Sequence, residues 1–419
     1  MPCVFCADIG TSSLKAAVID QTGNVLSYSR QKFHSTPDSV AGEWLSALKA
    51  AMDEIFQAEG LTVDSICISG NGPTLSTCGG LTLLWNREIP EPEEDPSEAE
   101  KKSLFIPRLK AFKKLYPEAW NDSKYIFSGP EFLIYTLTGN AITILPEERY
   151  TQAYWTEGTL KEAGFTQKDI SKIPPFAKPS SLAGKLNASS AGYLGHSKNN
   201  VTEGLPVYCG APDFISALVG TGTLKPGLLC DRAGSSEGIN LCTKEPIVAP
   251  GVRTLPSIVP GLWNASILIP DSGMRFSRYK KQFEETAGFP VTYSDLVDAA
   301  IASDGSQAIL DQGKYLMLQI AMQVRDGIKK LSSLAQEAGT QVPSSFILTG
   351  GQAESDGYTQ MKSSVTGMKI EVLQCNDAEL LGDAAFAFCG MGIYPDIQTA
   401  AEKIQRVSRI FAPGGDTGF

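Results

Sequence analysis

The chain has 419 residues, of which 42% are hydrophobic and 20% charged, and its formal net charge at pH 7 is −10. This length favours two domains, each large enough to bury its own core. The negative charge argues against a nucleic-acid backbone or an anionic membrane surface as the main partner. It does not exclude an anionic ligand, because backbone N–H groups bind phosphate locally. The sequence also lacks an apolar run of membrane-spanning length.

Nine cysteines are spread along the chain, an odd number that suits free thiols in a reducing cytosol. The sequence starts without a basic region and a cleavage site, and we therefore expect a cytoplasmic protein. The Cys3-x-x-Cys6 pair is interpreted as two buried thiols on a strand. Because the chain has only two histidines, His34 and His196, neither a zinc site nor a Ser-His-Asp triad is supported.

The first part of the chain reads as strands joined by polar turns, followed by helices. Strands are predicted at 3–9, 14–20, 25–29 and 63–69. Helices are predicted at 43–58, 104–115 and 130–138. Between them, residues 90–102 are acidic and rich in proline, and are predicted as an exposed connection.

The second half repeats the opening theme of a Gly-Ser/Thr turn between two strands. A strand at 207–210 and a helix up to residue 219 precede the glycine-rich stretch 220–227, which we take as the boundary. The predicted domains are therefore 1–228 and 229–419. Further on, the sequence predicts helices at 314–338 and 377–390 and strands at 345–348 and 370–373.

Three glycine-rich turns follow apolar strands, at residues 8–13, 234–236 and 348–351. Glycine lets the backbone approach a ligand, and nearby hydroxyl and N–H groups can hold phosphate oxygens. One such turn is typical of a structural hairpin, but three, two of them in corresponding places of a duplicated chain, favour a phosphate site. Asp8 is a candidate to hold Mg²⁺ through water. Neither a Walker P-loop nor a Rossmann GxGxxG motif occurs.

Asp213 follows a predicted strand in a Gly-Ala-Pro-Asp turn, at the start of a predicted helix. One interpretation is a helix N-cap. The other is a general base, because phosphoryl transfer to an alcohol needs a carboxylate to accept the hydroxyl proton. Spacing alone leaves both interpretations open.

Seven segments resemble the FGGY carbohydrate kinases and occur in the family's order from residue 3 to about 395. They are DIGTSSLKAAVID, LTLLWN, FLIYTLTG, LPVYCGAPDFISALVGTGTLKPG, AGSSEGINL, ILTGGQAESDGYTQMKSSVTGMKIEV and ELLGDAAFAFCGMGIY. The resemblance implies an α/β fold of two ribonuclease H-like (actin-like ATPase) domains with mixed sheets flanked by helices. It also implies an active-site cleft between the domains, ATP and Mg²⁺ as cofactors, a small sugar or polyol as partner and substrate, and leaves a homodimer open.

Carried over position by position, the resemblance assigns a role to each motif residue. Asp213 matches the general base, and Asp8 matches the metal-facing aspartate. The nucleotide side is represented by Gly10, Thr11, Ser12, Gly234, Ser235, Ser236, Gly273, Gly350, Gly351 and Gln352. The sugar side is represented by Asn71, Trp85, Asn86 and Asp213.

The sugar-side motifs depart from the xylulose-kinase-like pattern. Residues 70–74 read Gly-Asn-Gly-Pro-Thr where Gly-Gln-Met-His-Gly is usual, and residues 85–89 lack the Asp and Arg of the Trp-Asn-Asp-x-Arg loop. The leading hypothesis is a kinase that phosphorylates a xylulose-like ketose or a related polyol. The alternative is a regulatory protein of the same fold that binds ATP or sugar with impaired catalysis. An actin-like assembly protein is disfavoured, because Asp213 and the Trp-Asn loop suit a small substrate.

Overall fold

A computed structural model describes residues 1–91, 95–234, 236–342 and 344–414. The chain divides into two compact units. The first unit comprises Met1–Gly220 and Glu379–Ile404, and the second comprises Thr221–Ala378 and the residues from Gln405 onward. The linear prediction, with its boundary at 228, does not include the return of 379–404 to the first unit.

The strands and helices are labelled in chain order. The strands are β1 Cys3–Ile9, β2 Ser13–Asp20, β3 Val25–Lys32, β4 Ser65–Gly70, β5 Leu75–Thr77, β6 Thr82–Leu83, β7 Ile126–Phe127, β8 Thr143–Ile144, β9 Phe176–Ala177, β10 Leu182–Lys185, β11 Pro206–Pro212, β12 Leu229–Ala233, β13 Glu237–Thr243, β14 Arg253–Pro256, β15 Trp263–Ile269, β16 Ser345–Thr349, β17 Lys369–Leu373 and β18 Val407–Phe411. The α-helices are α1 Trp44–Ile55, α2 Glu98–Lys102, α3 Ile106–Leu115, α4 Pro117–Asp122, α5 Glu131–Thr138, α6 Glu157–Glu162, α7 Gln167–Ile170, α8 Ala188–Leu194, α9 Asp213–Gly220, α10 Ser272–Ala287, α11 Tyr293–Ile301, α12 Ala308–Glu337, α13 Asp356–Thr366, α14 Ala378–Gly390 and α15 Ile397–Ile404.

A six-stranded mixed sheet in the order β10-β11-β4-β1-β2-β3 forms the centre of the first unit. β1 pairs antiparallel with β2 on one side and parallel with β4 on the other, and β4 pairs parallel with β11. β1 is buried along its whole length, which explains why it reads as a continuous apolar run instead of an alternating one.

Helix α1 covers part of this sheet because its apolar side chains recur at helical spacing. Trp44, Leu48, Met52 and Ile55 are all buried, and α1 packs against β2 and β3. Burying each such side chain stabilises the fold by roughly 1.5–3 kcal/mol. These residues form one side of the core of the first unit.

The second unit repeats the arrangement in a seven-stranded sheet, in the order β14-β15-β13-β12-β16-β17-β18. β12 pairs antiparallel with β13 and parallel with β16, as β1 pairs with β2 and β4. Its core is completed by α12, whose buried Val324, Ile328 and Leu331 face the sheet residues. The predicted repeat, a turn between two strands that opens each half, is confirmed.

Residues 92–94 of the predicted exposed connection at 90–102 lie outside the described residues, and the prediction is wrong for its last five residues. Residues Glu98–Lys102 form helix α2, started by a capping box in which Ser97 and Glu100 bond to each other's backbone N–H groups. The Ser-x-x-Glu pattern is a recognised helix start, but the surrounding acidic and proline-rich composition obscured it.

Candidate active site

The carboxyl ends of β1, β4 and β11 lie side by side at one edge of the first sheet. Asp8 is opposite Ser69 in the register of β1 and β4, and Gly70 is opposite Pro212 in the register of β4 and β11. The predicted residues Asp8, Asn71 and Asp213 therefore project from neighbouring strand ends. In open α/β sheets this edge is where ligands bind.

Asp213 is the first residue of α9 and follows β11 directly. Its side chain is half-buried, and its Oδ1 accepts a hydrogen bond from the N–H of Phe214 at 2.6 Å. A carboxylate in this position is a group that can accept a proton from a hydroxyl.

Asp8 is buried, with 2% of its surface exposed. Its Oδ1 accepts from Ser69 Oγ at 3.3 Å, and its Oδ2 lies 3.8 Å from Lys15 Nζ. Among the described residues, no group of three or more Cys, His, Asp or Glu side chains is arranged to hold a metal ion. A single carboxylate nevertheless fits Mg²⁺, which is commonly held by one or two carboxylates together with substrate phosphates and water.

Asp383 on α14 is a buried carboxylate that shares a hydrogen-bond donor, Ser69, with Asp8. It was not among the residues predicted from the sequence. It is fully buried, and its Oδ2 accepts from Ser69 Oγ at 2.8 Å while its Oδ1 accepts from Ser216 Oγ at 3.3 Å. Burial, with a further contribution from Asp8, raises the pKa of Asp383 well above its usual value. The only signal in the sequence was an aspartate within an alanine-rich helix.

The predicted phosphate and sugar motifs of the first unit touch each other. The indole N–H of Trp85 donates to Thr11 Oγ1 at 2.9 Å, and the backbone N–H of Trp85 donates to Thr74 Oγ1 at 3.1 Å. Gly10 N–H bonds to Ser13 O at 2.9 Å and closes the first turn. Ser12 and Asn86 are exposed, so both side chains are accessible to a ligand.

Asn71, predicted on the sugar side, is occupied by internal hydrogen bonds. Its Nδ2 donates to Ile9 O at 3.1 Å, and its Oδ1 accepts from Thr74 Oγ1. The side chain thus fastens the end of β4 to the end of β1. This arrangement favours a role in shaping the turn, and its substrate contact stays a prediction.

Arg108 on α3 connects separate segments of this region by hydrogen bonds. Its guanidinium is buried and donates to Pro73 O at 2.9 Å, to Arg87 O at 3.2 Å and to Leu84 O. Burial lowers the pKa of Arg108 to about 10. One side chain therefore joins the turn after β4 to the Trp-Asn loop, a role that no local sequence pattern indicates.

Glu131, at the start of α5, lies in the interior of the first unit with 3% of its surface exposed. Its Oε1 accepts from the N–H of Ile144 at 2.8 Å and from Ser128 Oγ at 3.1 Å. Its Oε2 is buried without a hydrogen-bond partner among the described residues. Burial raises the pKa of Glu131 to about 7. A glutamate after proline at a helix start is common, so the sequence did not reveal this environment.

This pKa predicts a pH dependence of stability. The folded protein binds a proton at Glu131 more tightly than the unfolded chain does. This proton therefore contributes to the free energy of unfolding. The contribution is fully present below the unfolded pKa of 4.5 and is lost as pH rises towards 7. The expected loss is roughly 3 kcal/mol. The nearest ionisable groups, Tyr154 and Cys209, have raised pKa values and stay neutral in this range.

The measurement is the free energy of unfolding of the wild type minus that of Glu131→Gln, between pH 5 and pH 8. We expect this difference to become less favourable to the wild type as pH rises. Other buried acids cancel in the subtraction, because both proteins contain them. A difference that stays constant across the range would contradict the assigned pKa.

In the second unit, the predicted nucleotide residues share one edge of the sheet. β12 and β16 end side by side, since Arg232 is opposite Thr349, and these ends lead into the turns at 234–236 and 350–352. β15 ends opposite the start of β13 and leads into the first turn of α10, which contains Gly273. Ser235 lies outside the described residues, so its predicted role stays a prediction.

The turn that follows β16 contacts the end of β12 and the start of β13. Gly350 has a φ of +88°, and a Cβ atom there would collide with Ala233 O, so only glycine fits. Gln352 Nε2 donates to Glu237 Oε2 at 3.1 Å. The predicted adenosine loop is thus fastened to the strand that follows the second phosphate turn.

A buried group of three charges lies beneath these turns. Lys362 Nζ donates to Asp231 Oδ2 at 3.0 Å and to Glu237 Oε1, and all three side chains are fully buried. The ammonium group lowers the pKa of Glu237, whereas burial beside Glu237 raises the pKa of Asp231.

Comparison with known proteins shows which proteins the chain is similar to. Residues 316–391 match the model of the C-terminal domain of the FGGY family of carbohydrate kinases. A xylulose kinase of Staphylococcus epidermidis is 22% identical over 98% of this chain and 92% of its own length. An autoinducer-2 kinase of an Enterobacter species is 22% identical over 99% and 91%.

Among solved structures, glycerol kinase from Plasmodium falciparum with ADP superposes with a TM-score of 0.76 at 15% identity, covering 100% of this chain and 95% of that one. The architecture is therefore the two-domain actin-like ATPase fold. The predicted resemblance to the FGGY carbohydrate kinases is confirmed. In the described part of the chain, no helix has the length and apolar character needed to cross a membrane.

Proposed function

We propose that the protein transfers the γ-phosphoryl group of ATP to a hydroxyl group of a small sugar or polyol. The observation that carries this proposal is that Asp8, near the end of β1, and Asp213, just after β11, lie at the same end of one sheet, on the two strands that flank β4. Its relatives and structural neighbours are carbohydrate kinases, which supports the same reaction class here. These kinases are named for different substrates, so the proposal covers a class of acceptors and leaves the particular acceptor open.

In the proposed mechanism, Asp213 accepts the proton of the acceptor hydroxyl as its oxygen attacks the γ-phosphorus. The new P–O bond forms while the bond to the β-phosphate oxygen breaks, and ADP leaves with that electron pair. N–H and hydroxyl groups of the turn at 10–12 stabilise the charge on the transferring group. The turns at 234–236 and 350–352 hold the nucleotide.

Mg²⁺, when bound, would neutralise charge on the phosphate oxygens. Asp8 is the residue that would hold it, through water, with its carboxylate oriented by Ser69 and Lys15. Ser69 also donates a hydrogen bond to Asp383, and this bond helps to hold the serine in position.

The test of the proposed function is ADP release in the presence of ATP, Mg²⁺ and each of a panel of neutral ketoses, aldoses and polyols. The proposal expects at least one acceptor to raise ADP release well above the rate with water alone, together with a phosphorylated product by mass spectrometry. Binding of ATP or sugar without turnover across the panel would instead support the regulatory alternative.

Asp8→Asn is expected to reduce kcat/KM by about 100-fold, which corresponds to a loss of about 3 kcal/mol of transition-state stabilisation. The reason is that the amide lacks the negative charge that attracts a hydrated cation. The Mg²⁺ concentration giving half the maximal rate should rise as well. Asp122→Asn, at an exposed position on α4, is the control. An unchanged Mg²⁺ requirement in Asp8→Asn would contradict the assignment.

A further inference from the structure

A small cavity lies behind the turn that follows β4, in the first unit. Its walls include Gly72, Phe105, Glu131, Ile144, Tyr154 and Pro212. The space open to a water-sized molecule is about 10 Å³, enough for one water molecule or one hydroxyl group. The loop before α5 is pressed against this turn, because a Cβ atom on Gly129 would lie 2.7 Å from Asn71 O.

Among the residues that line the cavity, Glu131 carries a buried carboxylate oxygen, Oε2, that lacks a hydrogen-bond partner in the described part of the chain. The other carboxylate oxygen is held by Ile144 N–H and Ser128 Oγ, so the side chain cannot turn away without losing both bonds. Oε2 has no hydrogen-bond partner among the described residues. Phe105, Ile144 and Pro212 offer only apolar surface at the walls. A buried carboxylate oxygen without a partner is costly, so the cavity favours a polar occupant.

The cavity lies close to Asp213, the proposed general base. Pro212 lines the cavity and is bonded to Asp213, and Gly72 lies in the turn beside it. The cavity is therefore one residue away from Asp213, at the end of β11.

We propose that Glu131 binds one hydroxyl group of the acceptor substrate and that this contact selects neutral sugars and polyols over sugar acids. This inference rests on the proposed function and deepens it. A hydroxyl group fits because it can donate to a carboxylate or accept from a carboxylic acid. A carboxylate on the ligand has no proton to donate, is larger than the cavity and is repelled by an ionised Glu131.

The test is Glu131→Gln, which keeps the shape of the side chain and an Oε1 that accepts from Ile144 and Ser128. The matched control is Glu118→Gln, because Glu118 also follows a proline in the first turn of a helix but is exposed. Glu131→Gln should raise the KM for a neutral acceptor by about 10- to 100-fold, the loss expected for a hydrogen bond to a charged group. The KM for ATP should stay within a factor of two, roughly the spread of near-neutral substitutions.

Calorimetric binding of acceptors, which needs no turnover, separates this inference from the proposed function. The wild type should bind a polyol more tightly than the sugar acid of the same chain length, and Glu131→Gln should reduce that preference. This comparison in the wild type also holds if the variant does not fold.

Two results would overturn the inference. One is a folded Glu131→Gln variant whose acceptor KM and Kd match the wild type, which would show that Glu131 binds only water. The other is equal wild-type affinity for the polyol and the sugar acid. Phosphoryl transfer without a preference would refute only the role of Glu131, whereas binding with the expected preference but no transfer would refute only the kinase reaction.

Discussion

Replacing Asp213 with asparagine should lower kcat by about 10²- to 10⁴-fold, the usual contribution of a positioned general base. Asparagine keeps the size of the side chain and an oxygen that can accept from the N–H of Phe214, as Asp213 Oδ1 does at 2.6 Å. It cannot take up the proton of the attacking hydroxyl. The fold and the nucleotide turns should therefore be preserved while the chemical step is lost.

The measurement is steady-state kinetics of Asp213→Asn with the best acceptor from the panel, together with ATP affinity from calorimetry. Asp122→Asn, an exposed residue of the same type, should behave as the wild type. A variant that retains more than a tenth of the wild-type kcat would exclude Asp213 as the base. The N-cap interpretation of Asp213 would then be the one that remains.

Lys362→Met should destabilise the second unit by about 3–5 kcal/mol, the range found when one partner is removed from a buried ion pair. Lys362 is fully buried and is the cation that both Asp231 and Glu237 contact. Without it, two carboxyl groups would share an interior site, and at least one would have to bind a proton. Because Glu237 also orients Gln352, the KM for ATP should rise too.

Chemical unfolding monitored by circular dichroism provides the stability measurement. Lys369→Met is the matched control, since Lys369 forms a half-exposed pair with Glu371 and should cost no more than about 1 kcal/mol. If Lys362→Met does not fold, the neutral triple variant Lys362→Met, Asp231→Asn, Glu237→Gln should recover most of the stability. A loss below 1 kcal/mol in the single variant would contradict this account.

The strand ends that carry the candidate site could be predicted because their signals are local. β1, β2 and β4 are apolar runs that each end at a polar or glycine-rich turn, and the structure has them within a few residues of the predicted bounds. Helix α5 follows its apolar spacing and ends at Gly139 in the left-handed conformation. The resemblance to a family then assigned roles that spacing alone had left open.

The features that the sequence did not reveal depend on contacts between distant segments. Ser69 and Asp383 are separated by more than three hundred residues yet share a hydrogen bond. Glu131 looks like an ordinary acidic residue at a helix start, and only the fold shows that it lines a cavity and that its Oε2 lacks a hydrogen-bond partner among the described residues. Asn71 was predicted to contact substrate, but its amide is occupied by groups whose approach depends on the pairing of β1 with β4.

Transfer of phosphate to an acceptor alcohol can be followed directly by ³¹P NMR of a reaction mixture containing ATP, Mg²⁺ and a neutral polyol or ketose. With the wild type we expect a new phosphate monoester signal to grow in step with ADP, and with Asp213→Asn we expect both signals to grow at least about 100-fold more slowly although ATP still binds. If the wild type forms only inorganic phosphate, or if the asparagine variant forms the ester as fast, the residues at the ends of β1 and β11 are not the site of phosphoryl transfer to an acceptor.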